Sequence, residues 1–163
     1  MANPELVYVI YIATSPDRLW AALTRGELTK QYWYGRRLES DWTVGSPVRF
    51  YDRDTQNVSD SGEVLEYQPP VRLGYTFRNE YIPDARALGY SRVGFTIEHH
   101  EGMVKLTLVH DQLPNEDWVT GFREGWAAIL SSLKTFLETG KSLPPVKSME
   151  ERARVPEARP SEP

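Results

Sequence analysis

Apolar positions change their spacing several times along this 163-residue chain, and each change marks a new kind of element. Leu6 to Ile12 is β-branched or aromatic throughout, which predicts a strand covered on both faces or one with a helix-shielded edge. Ser15-Pro16-Asp17 then supplies a side-chain cap, a proline that loses nothing in the first helical turn, and an acid favoured by the helix dipole. A short helix burying Leu19, Trp20 and Leu23 follows, and Gly26 interrupts it. Leu28, Tyr32 and Trp33 continue at helical spacing until Gly35 offers a left-handed stop, so two short helices are expected after the first strand.

From Arg37 to His110 the period is two: Val48 and Phe50, Val64, Leu73 to Phe77, Val93 to Ile97, and Val104 to Leu108. Short connections between such runs predict an antiparallel meander, with Gly102 in its last hairpin and a longer, irregular connection from Arg78 to Tyr90. Asn115 can cap a final helix whose first turn carries Glu116 and Asp117 and whose apolar pattern runs to Leu137. On a helical wheel Trp118, Phe122, Ile129, Leu133 and Phe136 share one face, Trp126 and Leu130 flank it, and Arg123, Lys134 and Glu138 lie opposite. The sheet is the large apolar partner for that face. The predicted class is therefore α+β, a curved antiparallel sheet wrapped around a long C-terminal helix.

Strand, two short helices, six-strand meander and long helix is the element order of the START-like helix-grip (SRPBCC) fold. The residues narrow the resemblance: Ser15 to Thr24, Tyr32-Trp33-Tyr34-Gly35, Val44-Gly45, Gly62-Glu63-Val64-Leu65, Leu73-Gly74-Tyr75-Thr76, Leu106 to His110, and Gly125-Trp126 through Leu133-Lys134. In series these resemble the homologues of the activator of the heat-shock-protein-90 ATPase, over roughly residues 5 to 138. The resemblance implies a domain with a hollow between sheet and helix, as found in many small stand-alone proteins.

Composition removes whole classes of function. Nineteen basic against 23 acidic residues give a formal net charge of −4, whereas nucleic-acid binders carry a clustered basic excess. No cysteine means no disulfide, no thiolate metal site and no thiol nucleophile. The first residues lack a signal-peptide pattern, and no apolar run reaches the roughly 18 residues of a membrane span, so a soluble cytoplasmic protein is expected. Residues 1–140 read as one domain, while Pro144-Pro145, the charges from Lys147 to Arg154 and prolines 156, 160 and 163 make residues 141–163 a tail expected to be disordered.

Candidate chemistry centres on the long helix. Gly121, Gly125, Ala128 and Ser132 lie on or beside its buried face, and small residues there leave room for a cavity or let the helix approach the sheet closely. The cavity reading assigns Trp33, Phe50, Tyr75, Phe77, Phe95, Leu106, Leu108, His110, Trp118, Phe122, Gly125, Trp126 and Ile129 to its lining. The expected occupant is an apolar or aromatic small molecule, oriented by His110 and Tyr75. A filled core with no ligand is the alternative.

His110 continues the inward parity of Leu106 and Leu108, which suits a polar anchor, a proton carrier in a cyclase- or hydrolase-type enzyme, or a hydrogen-bonded structural histidine. His99 and His100 point to opposite faces of a strand, a poor arrangement for chelation, so neither metal nor cofactor is expected. Asp111, Ser91 and Tyr75 lack an elbow or oxyanion motif, and no catalytic residue is assigned. Arg36-Arg37 offers a two-pronged hold on an anion or a solvated pair, and residues 83–88 a lid or a plain loop. A protein partner is the second class of function, with the chain a monomer or homodimer.

Overall fold

The structure, a computed structural model, describes residues 4–144. Seven antiparallel strands form one open sheet: β1 (Leu6–Ile12), β2 (Arg36–Ser40), β3 (Pro47–Asp52), β4 (Val58–Gln68), β5 (Arg72–Asn79), β6 (Ser91–His100) and β7 (Met103–Asp111). Their order is β1-β7-β6-β5-β4-β3-β2, so the meander runs from β2 to β7 and β1 pairs with its last strand. Helices α1 (Pro16–Thr24) and α2 (Gly26–Tyr32) carry the chain from one sheet edge to the other, α3 (Pro83–Leu88) forms within the irregular connection, and α4 (Glu116–Thr139) lies across the sheet. This is the α+β helix-grip arrangement that the period changes predict.

Local chemistry sets the boundaries where expected. Ser15 and Asn115 accept the amides of Arg18 and Trp118 as side-chain caps, and α4 stops at Gly140, which adopts the left-handed conformation. The inward residues of the meander, from Val48 and Phe50 to Leu106 and Leu108, all lie in one buried cluster. Register shifts at Phe50/Tyr51 and at Val64/Glu66 bend β3 and β4, the curvature that a grip on a helix demands.

One expectation resolves between its two alternatives, and another needs correction. Val7, Val9 and Tyr11 on the outer face of β1 stay about half exposed, so that strand is not covered on both faces. Its edge is the shielded part: Lys134 of α4 donates to the Tyr11 carbonyl at 2.9 Å, and Glu138, paired with Lys134 at 2.7 Å, accepts the Ala13 amide at 2.8 Å. The buried stripe of α4 is also turned from its expected axis. Val119, Trp126, Ile129, Leu130, Leu133 and Leu137 are buried whereas Trp118, Phe122 and Phe136 are only partly so, Phe122 and Trp118 lining hollows beside the sheet. Residues 141–144 of the expected tail are described, with the Leu143 amide bonded to Ser132 Oγ at 3.2 Å. The rest of that expectation concerns residues 145–163, which lie outside the described residues.

Gly62 is the tightest point of the meander, since a Cβ there would overlap the Thr76 carbonyl of the neighbouring strand. Gly62→Ala should therefore destabilise by at least about 2 kcal/mol, read as a lower urea midpoint with an unchanged slope.

Candidate functional site

The cleft begins with how α2 meets β2. Gly26 lets the helix start against the strand, because a Cβ there would lie 2.7 Å from the Leu38 carbonyl oxygen and 2.6 Å from Arg37 Cγ. Thr29, fully buried, donates its hydroxyl to the Arg36 carbonyl at 2.9 Å and accepts the Leu38 amide at 3.0 Å. Between them Trp33 caps α2, and Tyr34 takes a left-handed backbone at φ 51°, uncommon for a large side chain, from which its hydroxyl reaches the Gly125 carbonyl on α4 at 3.2 Å. These contacts hold Arg36 facing inward.

A cleft opens between this corner and α4. Trp33, Tyr34, Arg36, Asp60, Phe77 and Asn79 form one side, and Gly121, Phe122, Gly125, Trp126 and Ile129 the other. Its volume, taken as the space open to the centres of water molecules, is about 50 Å³. That admits roughly four waters, whereas an engineered apolar cavity that holds benzene measures about 150 Å³. A second hollow of about 30 Å³ lies under α3 and shares Phe77, Asn79 and Phe122 with the first. The Phe77 and Phe122 rings, edge to face at 6.0 Å, stand on the wall common to both.

The polar part of the wall is a buried charge cluster. Arg36 and Asp60 are 6% and 1% exposed, with Arg36 Nε 3.5 Å from Asp60 Oδ2. Ser59 Oγ donates to Oδ2 at 2.7 Å and Asn79 Nδ2 to Oδ1 at 3.1 Å. Burial pushes the Asp60 carboxyl above its ordinary range, opposed by the Arg36 cation and by both hydrogen bonds. Asn79 also accepts the amides of Tyr81 and Ile82 at 2.9 Å each, so the group that touches Asp60 fixes the entry to α3 as well. The broader hollows elsewhere, of about 450 and 320 Å³, carry their charges on exposed residues such as Asp41, Arg49, Lys30 and Arg53.

Of the residues expected to line a cavity, Trp33, Phe77, Phe122, Gly125, Trp126 and Ile129 come together in the cleft, and Trp118 lines the hollow under α3. Phe50, Tyr75, Phe95, Leu106 and Leu108 are buried in the core behind it. Phe50 backs Trp33 at 4.9 Å between ring centres. The Tyr75 hydroxyl is buried without a hydrogen-bond partner among the described residues, and burial, then Tyr32 and Asp60, hold its pKa well above the ordinary value.

His110 also stands behind the wall. Trp126 Nε1 donates to its Nδ1 at 3.0 Å, which puts the ring proton on Nε2, 2.7 Å from Ser91 Oγ, and Ser91 donates onward to the Phe77 carbonyl at 3.0 Å. Both ring nitrogens are engaged in these hydrogen bonds within the protein. Of the arginine pair, only Arg36 reaches the cleft. Arg37 turns to Glu39 and to the Arg53 carbonyl.

Asp60, Asn79 and Tyr34 were not anticipated from the sequence. Asp60 shares its strand parity with Val64, and Asn79 with Leu73, Tyr75 and Phe77, and that parity was the available signal.

A sheet gripping one long helix, with an aromatic cleft carrying a charge pair between them, defines a helix-grip domain. The chain belongs to the family described as Activator of Hsp90 ATPase homolog 1-like protein, whose profile matches residues 13–138. Comparison with curated proteins gave no match. Among solved structures it is similar to the Aha1 dimer from Colwellia psychrerythraea, at 22% identity and TM-score 0.68, covering 85% of this chain and 99% of that one. It is similar to PFC0360w from Plasmodium falciparum, described as an HSP90 activator, at 20% and 0.67, covering 82% and 95%. It also resembles DynU16, a protein in the dynemicin biosynthetic locus, at 22% and 0.68, covering 85% of this chain and 48% of that one. At these identities the likeness is one of fold. Among the described residues no helix is long and apolar enough to cross a membrane.

Burial pushes the His110 imidazole down to about 3, against an unfolded value near 6.5. Between those values the unfolded chain binds the extra proton, so stability rises with pH across that window and is lost as pH falls through it. From pH 7 to pH 5 the native protein should lose about 2 kcal/mol more than the His110→Gln variant does, compared by urea unfolding at both pH values.

Proposed function

We propose that this protein binds a small apolar or aromatic molecule in the cleft between α4 and the sheet. The observation that carries the reading is a buried charge pair on the wall of an aromatic-lined cleft. Burying Arg36 and Asp60 costs several kcal/mol of desolvation, a cost that groups at functional sites commonly carry. Glycine at position 125 supports the same reading. Mid-helix glycine costs roughly 1 kcal/mol against alanine, yet a Cβ there would meet only Tyr34 Oη at 3.8 Å, so close helix packing does not require it.

A ring-sized ligand needs more room than the cleft offers at rest. Rotation of Phe122 would join it to the hollow under α3, giving α3 the part of a lid. Trp33 and Trp126 supply stacking surfaces and Ile129 apolar contact. The polar contacts fall to Arg36, Asp60 and Asn79.

In a titration of aromatic compounds, tryptophan fluorescence should change and the melting temperature rise for at least one ligand, since an occupant of the folded state alone must stabilise it. Gly125→Leu, which fills the cleft from α4, should abolish both responses while raising the melting temperature of the free protein. A broad panel that leaves the native protein silent would remove the reading.

Family membership favours a second reading, in which the domain docks on a heat-shock-protein-90 chaperone as a co-chaperone. The full chain should then retain such a chaperone in a pull-down and raise its ATPase rate. Absence of both effects would count against it.

A further inference from the structure

Asp60 has an unusual set of partners for a carboxylate sealed from water. An ionised carboxylate offers about four acceptor positions. Here Ser59 Oγ occupies one at 2.7 Å and Asn79 Nδ2 another at 3.1 Å. The Arg36 Nε contact at 3.5 Å is longer than an ordinary hydrogen bond and serves mainly as a charge neighbour. Acceptor capacity therefore remains on a group that is 1% exposed and lies on the cleft wall. The cleft is where a further donor to Asp60 could come from.

Charge narrows the class of donor. Arg36 and Asp60 are opposite in sign and lie side by side, and Glu80 adds a negative charge that acts on Asp60. A ligand carboxylate would bring a further negative charge against Asp60 in a low-dielectric site, and a ligand ammonium would meet Arg36 at the same short range. An uncharged O–H or N–H group satisfies Asp60 and disturbs neither.

We infer that Asp60 is the specificity-determining residue of the cleft, accepting a hydrogen bond from an uncharged hydroxyl on an aromatic ligand. This rests on the small-molecule reading above. Asn79 is the positioning residue: it holds Asp60 Oδ1 from one side and the amides that open α3 from the other, so the anchor and the lid share a hinge point.

Three probes that share one ring system separate this inference from the reading beneath it: 2-naphthol, naphthalene and 2-naphthoate. Each is titrated into the full native chain by calorimetry, with the indole N–H resonances of the tryptophans followed by NMR to place the ligand beside Trp33 and Trp126. Tightest binding is expected for 2-naphthol, by about tenfold over naphthalene, the worth of one hydrogen bond to a charged group, and by at least as much over 2-naphthoate. Asp60→Asn should shrink the naphthol-to-naphthalene ratio to within about threefold.

Equal binding of naphthol and naphthalene to the native chain would overturn the role of Asp60 and leave the cleft as a plain apolar site. Tightest binding of 2-naphthoate would overturn it in favour of Arg36 as the anchor. Silence from all three would remove the small-molecule reading itself and the inference with it. Should Asp60→Asn lose its dispersed indole resonances, the probe series on the native chain decides alone.

Discussion

A tryptophan cannot be buried in an apolar core unless its indole N–H finds an acceptor, and at Trp126 that requirement ties the fold together. The acceptor is His110 on β7, whose other nitrogen meets Ser91 on β6, whose hydroxyl ends on the Phe77 carbonyl of β5. One chain of hydrogen bonds thus crosses from the helix through three neighbouring strands. Hydrophobic contact presses α4 to the sheet without fixing where along it the helix rests; directional bonds select one seat. Every donor and acceptor in the chain is used, which is why so polar a group is tolerated at zero exposure.

The cleft follows from that seat. With Trp126 anchored, its neighbours one turn to either side, Phe122 and Ile129, look out over Gly125 toward Trp33 and Arg36 rather than into packed strands. The sheet bends around the helix but leaves this corner unfilled. Its wall gathers costly features together: a left-handed Tyr34, a buried ion pair and a mid-helix glycine. Strain and buried charge, each of which lowers stability, are thus concentrated in one hollow.

Much of the fold was legible in the sequence, and the reasons are particular. Ser15-Pro16 and Asn115 announced helix starts through capping chemistry, and the alternation from Val48 to Leu108 announced strands. The serial order of motifs pointed to the family. The orientation of α4 was less legible, because the wheel ranks residues by apolarity and cannot know that Phe122 lines a hollow while Val119 is buried. His110 was correctly placed inward, but parity does not distinguish a residue on a cavity wall from one behind it. Asp60 and Asn79 were missed for a related reason. Polar residues at strand ends usually mean solvent, and only the pairing of β4 with β5, bringing Asp60 opposite Asn79, turns them into a buried cluster.

The lysine and glutamate that α4 lends to β1 limit how this domain can move. Tyr11 and Ala13 lie at the outermost strand, where a bare carbonyl and a bare amide would invite a foreign strand to add on. Lys134 and Glu138 occupy both groups from the same helix that forms one bank of the cleft. Swinging α4 outward would uncover that edge. Any opening of the cleft is thereby left to a turn of the Phe122 side chain on the helix itself and to a yielding of α3, with the long helix held still as the gatepost.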